Sequence, residues 1–64
     1  MNTNNLEAQI WTAYRATLVQ SKNEFRTLIK QSFDYGEEDE VVELREFMQK
    51  MLSVIEKELI SLNQ

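Results

Sequence analysis

Sixty-four residues with a formal charge of −4 and no cysteine, histidine or proline make one domain at most. The missing cysteine excludes disulfide staples and thiolate metal sites, and the missing histidine removes the commonest general base and metal ligand. No apolar stretch approaches the ~18–20 residues of a membrane-spanning helix. Met1-Asn2-Thr3-Asn4-Asn5 has neither the basic nor the apolar region of a signal peptide, so the expected location is the cytoplasm.

The first predicted element is a helix over about residues 4–34. Asn4, followed three residues later by Glu7, has the spacing of a capping box. Trp11, Tyr14, Leu18, Ser21, Phe25, Leu28, Ser32 and Tyr35 then alternate spacings of three and four, the a/d signature of a helix with one buried stripe. Ile10 and Ile29 widen the stripe, and Ile10 and Val19 lie on opposite flanks. Ser21-Lys22-Asn23-Glu24 is a second capping-box pattern and offers an alternative, a three-helix chain broken near Ser21. The heptad spacing crosses it unbroken, which favours one helix.

The turn is expected over 35–38, inside the acidic run Asp34-Tyr35-Gly36-Glu37-Glu38-Asp39-Glu40. Gly36, the sole glycine, is free to take the left-handed conformation that ends helices. A second helix follows over about 39–62, its early carboxylates facing the positive end of the helix dipole. Val41, Leu44, Met48, Met51, Leu52, Ile55, Leu59 and Leu62 fall within about ±60° of Met48 at about 100° per residue. Phe47 and Val54 lie on one flank of this stripe, Val42 and Ile60 on the other.

The fold class is therefore all-α: an antiparallel hairpin of two long helices forming a single domain over 1–64. A nearly constant sum of position numbers, 72 or 73, pairs Trp11 with Leu62, Tyr14 with Leu59, Leu18 with Ile55, Ser21 with Leu52, Phe25 with Met48, Leu28 or Ile29 with Leu44, and Ser32 with Val41. Small Ser21 and Ser32 allow close approach of the helices. Residues 1–33 hold four basic side chains against two acidic ones, a net +2; residues 34–64 hold three against nine, a net −6. Arms of opposite sign attract. Each stripe is too wide for one neighbour, which suits a four-helix bundle, most simply a homodimer of hairpins. A helical protein partner would satisfy the same need.

These features point to binding rather than chemistry. No nucleophile–base pair or glycine-rich phosphate loop exists, so the chain is expected to be no enzyme and to need no cofactor, metal or small-molecule substrate. The acidic run lacks the ligand spacing of a calcium loop and reads as a solvated turn. The expected function is a small interaction module (an adaptor, regulator or chaperone-like subunit) acting through helix-face packing. Phe47 and Val54, with Trp11, Met48 and Met51, are the candidate partner interface. Arg15, Lys22, Arg26 and Lys30 border the first stripe and are the candidate contacts of an alternative RNA- or DNA-binding bundle. Their simpler role is pairing with Glu40, Glu43, Glu56 or Glu58. In length and hairpin design the chain resembles the Rop-type plasmid RNA regulators, which are dimeric four-helix bundles. It also resembles the small helical-hairpin chaperones of type III secretion. Both likenesses are architectural, and no functional residue is carried over from either.

Overall fold

The computed structural model describes residues 3–63; Met1, Asn2 and Gln64, the ends of the expected domain, lie outside the described residues. Helix α1 spans Thr3–Ser32, a short 3-10 turn covers Phe33–Tyr35, and helix α2 spans Asp39–Leu62. No strand is present among the described residues. The two helices pack as a hairpin measuring 55 × 17 × 14 Å.

Because Thr3 is already helical, Asn4 sits within the first turn of α1 rather than ahead of it. The helix then crosses Ser21-Lys22-Asn23-Glu24 without interruption. A local reason is visible: Gln20 Nε2 donates to Glu24 Oε1 at 3.3 Å, so that carboxylate supports the helix one turn apart instead of reaching back to cap it. The hydroxyls of Thr12, Thr17 and Thr27 each donate to the carbonyl four residues earlier, which keeps three β-branched polar residues compatible with a long helix.

Gly36 departs from the expected left-handed conformation. Its φ is 90° but its ψ is −170°, an extended form that residues with a Cβ avoid. The cause is the reversal itself: Glu38 is extended (φ −64°, ψ 148°), so the chain opens outward at Gly36 before α2 begins. Asp39 and Glu40 occupy the first turn of α2 and complement its dipole; the Glu38 carbonyl accepts from Val42 N at 3.0 Å.

The clefts hold several of the expected pairs together, but the bonded contacts between the helices, Ser32 with Arg45 and Arg26 with Glu56, have position sums of 77 and 82 rather than 72 or 73. Trp11 and Leu62 line one cleft near the open end, while Leu28 with Leu44 and Ser32 with Val41 line another near the turn. What the pairing does not produce is a buried apolar core. Among the described residues no hydrophobic side chain is buried; the buried positions are Ser32 and Arg45. Trp11, Tyr14, Leu28, Tyr35 and Leu44 lie on the expected stripes and yet are exposed, since one neighbouring helix covers only part of each stripe.

Candidate functional site

Helical periodicity divides the hairpin into two broad faces. In antiparallel helices, side chains displaced the same way from each facing stripe emerge on the same side of the pair. Leu28 of α1 and Tyr35 of the 3-10 turn are displaced one way, as are Leu44 and Phe47 of α2. These four share a groove with Gln31, Ser32, Val41 and Met48. Tyr14 continues this face along α1, and Met51 and Val54 continue it along α2. Phe47 and Val54 stand 55% and 58% exposed, one heptad apart; Met48 and Met51 are half-buried beside them.

The opposite face mixes charge with apolar side chains: Val19 and Ile60 are exposed there and Val42 is half-buried. Arg26 Nη2 meets Glu56 Oε1 at 3.0 Å across the helices, the interhelical pairing expected for the basic stripe. Both side chains are largely exposed, so the pair guides register more than it stabilises. Lys22 is half-buried and Lys30 exposed, while Arg15 lines the open-end cleft with Trp11, Thr12, Ser61 and Leu62. The four cations thus share one helix, and one of them is already matched by a carboxylate. Trp11 is half exposed and packs edge-on against Tyr14, with ring centroids 5.9 Å apart. It stands at the open end of the hairpin, away from the groove that holds Phe47.

The most buried polar cluster among the described residues lies at the turn and was not anticipated from sequence. Arg45 is only 7% exposed. Its Nε donates to Ser32 Oγ at 2.7 Å, and its Nη2 donates to the Ser32 carbonyl at 3.3 Å. Glu37 accepts from Nη1 at 3.2 Å and from Nη2 at 3.3 Å, a two-pronged contact. The guanidinium also lies 3.8 Å from the centre of the Phe33 ring. Ser32 Oγ in turn donates to the Ile29 carbonyl. Arg45 therefore ties together the end of α1, the 3-10 turn, the connecting segment and α2. Ser32 also receives the guanidinium and presents a helix-end carbonyl that would otherwise lack a partner.

The clefts are open grooves at the surface, and among the described residues no group of three or more carboxylates is arranged to hold a metal ion. No described helix is long and apolar enough to cross a membrane. The chain matches no family model, no curated protein and no solved structure.

The hairpin exposes 5354 Å². A compact protein of its 7.6 kDa mass would expose about 4,300 Å². The excess, on the order of 1,000 Å², is spread over an elongated two-helix layer 55 Å long.

Proposed function

We propose that the chain is a non-enzymatic interaction module whose open apolar face receives amphipathic helices and completes a four-helix bundle, with a homodimer of hairpins as its basic assembly. One observation carries this reading: no hydrophobic side chain is buried among the described residues, while Leu28, Tyr35, Leu44, Phe47 and Val54 lie exposed on a single face. Helices that present apolar side chains at a/d spacing are the natural complement of such a face. Regulation, adaptation or chaperoning of a helical client would then operate by competition for, or extension of, the same bundle.

The test is the double substitution Phe47→Asp with Val54→Asp, followed by sedimentation and circular dichroism. The expected result is loss of the assembly together with reduced helicity, because two charges would be placed where apolar contacts form. Unchanged mass, helicity and partner binding would remove this face from consideration. The nucleic-acid reading gains no support from the arrangement of the basic stripe, where Glu56 already occupies Arg26 and the net charge is negative.

A further inference from the structure

The seam between the helices runs beside the apolar stripes rather than along them. On α1 the side chains turned inward are Leu18, Ser21, Lys22, Phe25, Ile29 and Ser32, whereas Tyr14 and Leu28 stand 40% and 47% exposed. At about 100° per residue, the centre of this inward set lies about 30° from the centre of the stripe that runs from Trp11 to Tyr35. On α2 the displacement has the same sense: Arg45 is buried and Leu52 half-buried, while Leu44 is 57% exposed. Both helices are turned so that the side carrying Arg26 and Glu56 moves in and the side carrying Leu28 and Leu44 moves out.

Apolar packing alone does not choose this rotation. Turning each helix back would leave Leu18, Phe25, Met48 and Ile55 in the seam and would exchange Ile29 and Leu52 for Leu28 and Leu44. One half-buried charge, Lys22, would move outward, and another, Glu58, would move further in. Leucine and isoleucine bury similar apolar areas, so the exchange is close to even. Lys22 argues against the observed rotation, because among the described residues no carboxylate pairs with it.

Arg45 decides between the two. In the observed rotation its Nε donates to Ser32 Oγ at 2.7 Å and its Nη2 to the Ser32 carbonyl at 3.3 Å, across the seam. On α2 it lies about 60° from Met48, on the side away from Leu44, so turning the helix back swings it out of the seam. A turn of about 30° moves a side chain some 5 Å from the helix axis by about 3 Å, whereas less than about 1 Å of stretching ends a hydrogen bond. We infer that Arg45 sets the rotation of both helices in the seam, and that its bonds to Ser32 hold Leu28 and Leu44 outward on the open face. Arg45 is a positioning residue for that face, whatever the face receives.

Intrachain disulfides read the rotation in the full chain, which contains no cysteine of its own. Ile29→Cys with Met48→Cys reports the observed seam, and Leu28→Cys with Met48→Cys reports the seam turned back. Equilibration with a glutathione buffer gives the effective concentration of each thiol pair, counted in single-chain products only, and circular dichroism follows helicity. With Arg45 in place the Ile29 pair is expected to be favoured. Arg45→Ala should shift the ratio of the two at least about tenfold toward the Leu28 pair, because two charge-assisted bonds are lost. Ser32→Ala, which removes one acceptor, should shift it the same way by a smaller factor. Glu37→Gln weakens the turn but keeps both bonds to Ser32, and should leave the ratio unchanged. An unchanged ratio in a helical Arg45→Ala chain would overturn the inference, as would an equal shift in Glu37→Gln. If Arg45→Ala loses its helicity, Ser32→Ala decides, and a ratio equal to the parent's would overturn the inference.

Discussion

Replacing Arg45 by alanine probes the one buried charged side chain among the described residues and is expected to loosen the turn. The size of the effect follows from what the guanidinium touches. Two donated hydrogen bonds reach Ser32, one to its hydroxyl at 2.7 Å and one to its carbonyl at 3.3 Å. Charge-assisted bonds of this kind contribute about 1.5–3 kcal/mol when one group is ionised, and the longer of the two belongs at the low end. Glu37 adds less than its two contacts suggest, because its side chain is 65% exposed; such a pair is worth about 0.2–1 kcal/mol. Stacking on Phe33 adds about 1 kcal/mol. These terms share one side chain and are not additive, so Arg45→Ala should cost about 3 kcal/mol. Arg45→Lys retains the charge but cannot reproduce the planar fork, and should cost about 1–2 kcal/mol. Glu37→Gln should cost less than about 1 kcal/mol. Urea unfolding followed by circular dichroism at one fixed protein concentration measures all three. If Arg45→Ala cost no more than Glu37→Gln, the contacts with Ser32 and Phe33 would contribute nothing net and the turn would be held by helix packing alone.

The remaining predictions address the turn, the interface and the basic stripe. Gly36→Ala should destabilise the hairpin by about 1–2 kcal/mol through backbone strain, even though the added methyl meets no atom within 4 Å; an unchanged urea midpoint would show that the connecting segment relaxes without difficulty. Phe47→Asp with Val54→Asp should abolish assembly in sedimentation, whereas Val19→Asp, on the opposite side of α1, should leave the assembled mass unchanged. Substituting Arg15, Lys22 and Arg26 together by alanine should change no RNA mobility shift, because none is expected at low salt in the parent chain; a salt-sensitive shift that these substitutions abolish would favour the nucleic-acid reading.

Much of the architecture is legible in the spacing of apolar residues. The a/d pattern from Trp11 to Tyr35 is long enough to override the internal capping box at Ser21, and the single glycine marks the reversal. That Trp11 shares a cleft with Leu62, and Leu28 with Leu44, is legible because two straight helices joined by a short turn must face each other; the exact register is not, since the bonded pairs are Ser32 with Arg45 and Arg26 with Glu56. The Arg45 cluster is harder to see. A charged residue at the edge of an apolar stripe ordinarily reads as solvated, and only three-dimensional placement reveals that it faces the carbonyl end of α1. A faint signal exists in the small Ser32 and the orphan carbonyls that every helix leaves at its C-terminus. The sequence places apolar residues on both flanks of α2, and both stay uncovered, with Phe47 and Val54 exposed on one and Ile60 on the other. The groove between Leu28 and Phe47 and the Arg26–Glu56 pair assign the two sides.

Sedimentation equilibrium of the full chain over a wide concentration range, combined with thermal unfolding at each concentration, tests the central claim most directly. An incomplete hairpin that associates through its open face should show a mass of twice 7.6 kDa and an unfolding midpoint that rises with concentration, because association stabilises the folded form by mass action. A mass of one chain throughout, with a cooperative midpoint independent of concentration, would mean that the hairpin is stable without a second copy and would contradict the account.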